Sequence, residues 1–347
     1  MDVSGKAEIK GERNKTLKKI RFGIISTGDI THAFIRACSE VEGVEVVAIA
    51  SRDSAKAERM QKEYGIERAY GSYRELYNDG GVDAVYIATP HNIHKQNCLD
   101  AIRAGKHVLC EKSLTLNKED SLEIFEAAEE KDIFVMEAVW TRFLPTTAKA
   151  REWVEEGRIG RIVYMDASST FLTNENDRGG RLLRKDTAGG ALYELGIYDF
   201  YMTQYFNRSE IIECQTITKT LDSGVDGFDL ISLKLADGTL LSFRCSITCR
   251  TENYICLYGE KGFILMTPQA YCPEKVRLFS REGLDNSQPA VLLEEFGMPI
   301  ENGLKYEIEH FKNVLEEGGR DSDIIPHADT LKCGEFYALL RQKWNNV

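Results

Sequence analysis

IRFGIISTGDITHAF, residues 20–34, is the stretch whose reading decides the fold. A short, nearly continuous apolar run breaks at a turn of small residues and resumes as an amphipathic segment. Apolarity without alternation describes a strand buried on both faces, and the amphipathic segment after the turn has helical length. Four more runs share this character: VEVVAIAS (44–51), VDAVYIA (82–88), HVLC (107–110) and IFVME (133–137). Amphipathic segments at 29–41, 53–64, 91–104 and 118–130 separate them. Parallel neighbours need a crossover, and the crossover is usually a helix. The first half is therefore a doubly wound α/β sheet, with ligands expected at the carboxyl ends of its strands.

The first strand–helix turn supports that expectation. Ser26, Thr27, Gly28, Asp29 and Ile30 stand where a dinucleotide fingerprint needs small residues, so that backbone can approach a pyrophosphate at a helix N-terminus. Gly28 holds the central position, while Ser26 and Thr31 replace the first and third glycines. The bland alternative is a tight turn in which Gly28 supplies only a permissive backbone. At the second strand's end an NAD site would normally carry Asp or Glu. This chain has Ser51 and Arg52, a hydroxyl and a guanidinium suited to a 2′-phosphate, so NADP is favoured and NAD stays possible. Asp53 suits capping the next helix.

Bulk properties narrow the class. The 347 residues suggest two domains, and 43% hydrophobic with 29% charged content is ordinary for a globular protein. A net charge of −11 disfavours nucleic acid and anionic membrane surfaces. Nine irregularly spaced cysteines fit a reducing cytoplasm better than a disulfide framework. Residues 1–19 lack an apolar stretch and read as a flexible leader, and no window is long and apolar enough for a membrane span. The domains then fall at 20–143, binding dinucleotide, and 144–347, for substrate binding and dimerisation, with C-terminal helices able to pack back on the first domain.

Charge at the tip of a buried strand is expensive, yet the fourth run ends in Glu111 and Lys112. Lysine near apolar walls and a cationic nicotinamide has its charged form disfavoured, which suits proton transfer; the alternative is a solvated loop. His91 and His94 have a spacing that a metal could use, but no third ligand is evident nearby. Trp140 and Arg142, just past the fifth strand, are placed to wall the ring and substrate, although Trp140 equally suits packing between domains.

From about Gly160 the period becomes two. DLISLKL (229–235) and LLSFRCSI (240–247) alternate about an ADGT turn, and ICLYGEKGFILM (255–266) repeats the design. Cys245 and Cys249 share a face by parity. The second half is α+β, a largely antiparallel open sheet with helices on one face, closed by helices at 301–318 and 326–344. The other face is free for a second copy, giving a homodimer or higher oligomer. Within TAGGALYELGIYDFYMTQYF (187–206), Glu194 and Tyr198 stand at i and i+4, on one helical face. A tyrosine beside a lysine has its ionised form stabilised, so Lys112 and Tyr198 could share proton transfer while Glu194 positions substrate. Tyr198 also falls on an apolar stripe and could be core. The cationic loop with Arg178, Arg181, Arg184 and Lys185 reads as solvated or as a lid.

TGDI, ASRD, ATPHNIH, AGKHVLCEKS and MEAVWTRF occur in that order. With GGALYELGIYDF they make the chain, from about Ile20 onward, resemble the Gfo/Idh/MocA-type NAD(P)-dependent oxidoreductases, on the branch of dimeric dihydrodiol and NADP-dependent xylose dehydrogenases. That resemblance implies a Rossmann domain, a homodimer and hydride transfer with a sugar, polyol or cyclic diol. It implies that Lys112 reaches the substrate hydroxyl, that Thr89, Pro90 and His91 lie against the cofactor, and that His94 faces the nicotinamide. Relatives usually carry Pro at Ser113, often after a cis bond, and Asp at Glu194. These departures, with Ser26, keep open a catalytically silent dinucleotide sensor of the same fold.

Overall fold

The computed structural model describes residues 19–173, 180–285 and 287–344. Most of the leader, and Arg178 of the cationic loop, lie outside the described residues. The first domain runs β1 (Ile20–Ile25), α1 (Asp29–Cys38), β2 (Val44–Ala50), α2 (Ser54–Tyr64), β3 (Arg68–Tyr70), α3 (Tyr73–Tyr77), β4 (Ala84–Ile87), α4 (His94–Arg103), β5 (His107–Glu111), α5 (Lys118–Glu130) and β6 (Val135–Ala138). Its six strands are all parallel, in the order β3-β2-β1-β4-β5-β6. Chain direction across the sheet reverses between β1 and β4, which leaves a crevice above their carboxyl ends. The continuous apolar runs are buried as expected, β4 at every residue. Sequence reading missed β3, whose three half-buried residues at the sheet edge are too short to show a period.

The second domain comprises α6 (Pro145–Glu155), β7 (Ile162–Thr170), a π-helical turn (Leu192–Gly196), α7 (Ile197–Phe206), β8 (Ile211–Thr220), β9 (Asp226–Leu235), β10 (Leu240–Ser246), β11 (Tyr254–Gly259), β12 (Gly262–Thr267), β13 (Lys275–Ser280), β14 (Val291–Gly297), α8 (Leu304–Glu316) and α9 (His327–Trp344). Eight strands form one sheet, antiparallel except where β7 and β10 pair in parallel. Alternation places Ile231, Leu233 and Leu235 inward under α7 and α9, while Leu230, Leu240, Tyr258 and Ile217 are exposed on the other face. Cys245 is buried, but Cys249 lies past the end of β10 and is exposed, so the parity argument for a shared face fails. The closing helices return to the first domain, α8 against α1 and α9 against α5.

Arg142 fastens this return. It is buried and ion-pairs with Asp329 of α9 at 2.6 Å. It also donates to the Tyr201 carbonyl of α7 at 2.6 Å and the Ile324 carbonyl at 3.0 Å. This corrects its assignment to the cofactor and substrate wall, because a guanidinium spent on buried acceptors on three sides has no donor left to face a cleft.

Candidate active site

The carboxyl ends of β1, β4 and β5 open into a cleft of about 650 Å³ that both domains line. On the β1 side, α1 begins at Gly28 without a side-chain cap, whereas Asp53, Ser72 and Asn117 cap α2, α3 and α5. The first amides of α1 are thus left for an outside acceptor at the positive end of a helix. Ser26 holds φ +143°, backbone that L-residues rarely adopt, and its Oγ accepts the Gly28 amide at 3.1 Å. Strain kept at an uncapped helix end fits a pyrophosphate. At the end of β2, Ser51 Oγ accepts the Asp53 amide, and exposed Arg52 lies near Tyr73 of α3, where its charge acts on the phenol. The tyrosine is invisible to sequence reading, because it approaches from the next β–α unit.

Opposite α1, Lys112 extends from β5 into the cleft. Its Nζ donates to the Glu194 carbonyl at 2.8 Å, lies 3.6 Å from Glu194 Oε2, and sits 4.7 Å from the centroid of the Tyr198 ring. Lysine and phenol therefore do meet, the ammonium over the ring face. The Lys112–Ser113 peptide is cis. Around it the chain is held tightly: Ser113 Oγ bonds Tyr337 Oη at 2.7 Å, and the Leu114 amide donates to buried Glu137 at 2.8 Å. His94 belongs to this scaffold. It is fully buried, with ring nitrogens 2.8 Å from the Ser113 carbonyl and 2.7 Å from the Thr89 carbonyl. Burial lowers its pKa, so the neutral ring donates to one of them. It does not face the cleft, which corrects its placement toward a nicotinamide. Pro90 and His91 do line the cleft beside Thr89. Among the described residues no group of three or more His, Cys, Asp or Glu is placed to hold a metal.

The acids of the cleft are driven apart. Burial pushes Glu194 up, but Lys112, Arg181 and His91 outweigh it and hold the carboxyl at about 2. His91 is itself held at about 3 by burial, His94 and Lys112, and is neutral at neutral pH, so the two full cations do this work. Arg181 donates to Glu194 Oε2 at 3.0 Å; the cationic loop thus supplies one cleft residue that local patterning could not single out. Glu111 is raised, first by burial, and accepts the Tyr86 hydroxyl at 2.5 Å. Tyr198 goes the other way from the phenolate expected beside a lysine. Burial, then the charge of Glu111, raises it well above the ordinary tyrosine value, so the phenol keeps its proton. Its oxygen accepts the Trp140 indole N–H at 3.0 Å. Trp140 packs on Gly303, where a Cβ would lie 2.5 Å from the indole, and walls an adjoining cavity of about 580 Å³.

The carboxyl ends of β1 and β4, where the strand order reverses, are where sheets of this kind bind dinucleotides, and the protein is an NAD(P)-dependent oxidoreductase. Two family models place it further: the oxidoreductase family with an NAD-binding Rossmann fold matches residues 20–139, and the GFO/IDH/MocA C-terminal domain matches residues 147–265. The chain belongs to the Gfo/Idh/MocA oxidoreductase family. Trans-1,2-dihydrobenzene-1,2-diol dehydrogenase of Danio rerio is 31% identical over 333 residues, covering 93% of this chain and 96% of the relative. The Homo sapiens enzyme of that name is 30% identical over 328 residues, with the same coverage. Among solved structures, a 3-ketoreductase from Actinomadura kijaniata in complex with NADP and TDP-benzene superposes with a TM-score of 0.82 at 25% identity, covering 93% of this chain and 97% of that one. The branch of the family expected from sequence is the one these relatives occupy.

Proposed function

We propose that this chain transfers hydride between NADP(H) and a carbinol or carbonyl carbon of a sugar, polyol or cyclic diol. The observation that carries the reading is the convergence of Lys112, Glu194 and Tyr198, from two domains, on the cleft that begins at the uncapped end of α1. When bound, the nicotinamide supplies the redox step. The amides at Gly28 to Ile30 hold the pyrophosphate, while Ser51 and Arg52 take the 2′-phosphate. Thr89, Pro90 and His91 support the ring side, and Trp140 and Tyr198 close the substrate side. Tyr198, protonated, donates to the substrate oxygen during reduction and takes the proton back during oxidation. Lys112 faces the same oxygen and stabilises charge developing there. Glu194, ionised throughout the neutral range, accepts a neighbouring substrate hydroxyl, which suits substrates with adjacent hydroxyls.

A sensor that had lost catalysis would have no use for three convergent titratable groups, so the silent alternative is not favoured. The exposed apolar face of the eight-stranded sheet supports a homodimer, and nine free, mostly buried thiols support a cytoplasmic setting. The test is a panel of aldoses, inositols and cyclic trans-diols followed at the nicotinamide absorbance with NADP and NAD. Turnover of at least one polyhydroxy compound with preference for NADP is expected; turnover of none, with NADPH bound, would leave a sensor.

A further inference from the structure

Glu194 leaves the backbone within a stretch that is not ordinary α-helix, and Tyr198 follows in the first turn of α7. Leu192–Gly196 is a π-helical turn leading into α7, and such turns are rare, single-turn features that are frequent at functional sites. Both of its ends rest on the sheet. At the start, buried Asp226 of β9 accepts the Leu192 amide on Oδ2 at 2.6 Å. At the end, Gly196 lies on Cys245 of β10, whose sulfur a Cβ would meet at 2.8 Å. Asp229, further along β9, connects these two supports: it faces Asp226, and Cys245 Sγ donates to its Oδ2 at 3.5 Å. The approach is equally constrained. Gly190 passes Asp226 at φ +117°, and a Cβ there would lie 2.1 Å from Oδ1. This gives the second glycine of the sequence GGALYE a physical reason.

We infer that Asp226, backed by Asp229, is a positioning residue that clamps the π-turn and so aims Glu194 and Tyr198 at Lys112. The two carboxyls lie close together, Asp229 fully buried and Asp226 buried at the edge of a separate cavity of about 800 Å³. Burial and then the charge of Asp229 raise Asp226 well above the carboxylate range, and burial raises Asp229. Two facing acids in such a place share a proton rather than both ionise. Asp226 does not line the cleft; it acts through the Leu192 amide, two residues before Glu194.

The kinetic half of the test rests on the proposed reaction, and the structural half does not. Amide hydrogen exchange across residues 190–197 reads the clamp directly, while kcat, KM and the NADPH dissociation constant read its consequence. Asp226→Ala leaves the Leu192 amide without its acceptor, so exchange there quickens and kcat falls by about tenfold or more, with NADPH affinity changed by less than about threefold. Asp226→Asn keeps the acceptor oxygen and replaces the shared proton with an amide donor to Asp229, so it restores exchange and kcat to within about threefold of the parent. Parent-like exchange in Asp226→Ala, or an Asn variant as impaired as the Ala variant, overturns the clamp. If Asp226→Ala does not fold, Asp226→Leu, which also removes the acceptor but refills the buried volume, takes its place against the Asn variant. If the parent turns over no substrate, the proposed reaction fails and hydrogen exchange still decides the clamp.

Discussion

Replacing Lys112 by Met removes the ammonium while keeping most of the side-chain length, and the geometry sets how much should be lost. Nζ lies 2.8 Å from the Glu194 carbonyl and over the ring of Tyr198, the phenol proposed to exchange the proton. A group so placed contributes both to proton transfer and to charge stabilisation at the reacting oxygen. Losing one such contribution typically costs about 10²–10⁴-fold in rate, or about 3–5 kcal/mol in the barrier. Dinucleotide affinity should change only a few-fold, because the residues proposed to take the pyrophosphate and 2′-phosphate lie at the ends of β1 and β2. The variant also reports on Glu194. Its depressed carboxyl, at about 2 against an ordinary 4.5, stabilises the fold by about 3 kcal/mol at neutral pH. That stabilisation is fully present above the ordinary value and is lost as pH falls toward 2. Without Lys112, the largest of the depressing charges, the folded-state value rises, so less stabilisation is present at neutral pH and it is exhausted at a higher pH; the acid unfolding limb moves upward. The assay pairs steady-state nicotinamide absorbance with NADPH titration by fluorescence and an acid denaturation curve. Parent-level turnover would remove Lys112 from the mechanism, and an unmoved acid limb would refute the electrostatic account of Glu194.

Three other outcomes concern residues outside the proton-transfer group. Arg52→Ala is expected to weaken NADPH by about tenfold or more and NADH by less than about twofold, since a charge-assisted bond to phosphate is worth about 1.5–3 kcal/mol; equal losses in a binding titration would refute the 2′-phosphate assignment. Arg142→Met leaves Asp329 buried, with the partly exposed Arg208 at 3.2 Å as its remaining ion pair, and should destabilise the fold by about 3–5 kcal/mol in urea denaturation. Leu230→Lys on the exposed sheet face should convert a two-chain mass to one in sedimentation equilibrium, and a monomeric parent would refute the homodimer.

The first domain is legible because its signals are local. Buried parallel strands announce themselves as apolar runs, and Asp53 caps α2 through the Ala55 and Lys56 amides as its position implies. The register of the β9–β10 hairpin is equally legible, because period-two alternation fixes which side chains point inward. Direction in space is not legible in the same way. Arg142 and His94 stand in the right segments and point away from the cleft, because buried carbonyls and Asp329 compete successfully for their donors. Arg181 joins the cleft from a loop that reads as solvated, through an ion pair with a residue thirteen positions on. The π-turn reads as plain helix in the sequence, since the amide that distinguishes it is held by Asp226, more than thirty residues away.

Two acids with opposite protonation stand on either side of one ammonium. Tyr198 is kept neutral by burial and by Glu111; Glu194 is kept charged by Lys112 and Arg181. Environments that push two titratable groups apart assign their roles: the phenol holds a proton to give, and the carboxylate has only lone pairs to offer. In the proposed reaction a substrate with adjacent oxygens would meet a donor at one and an acceptor at the other, which would fix its orientation before hydride moves. Here the longer side chain of Glu194 matters. Its carboxylate reaches Arg181 while its own carbonyl accepts a hydrogen bond from the Lys112 ammonium, so the residue contacts both cations at once. An aspartate at the same backbone position is one methylene short of that guanidinium. The departure from the usual residue is therefore matched by Arg181, and the two are best understood as a pair.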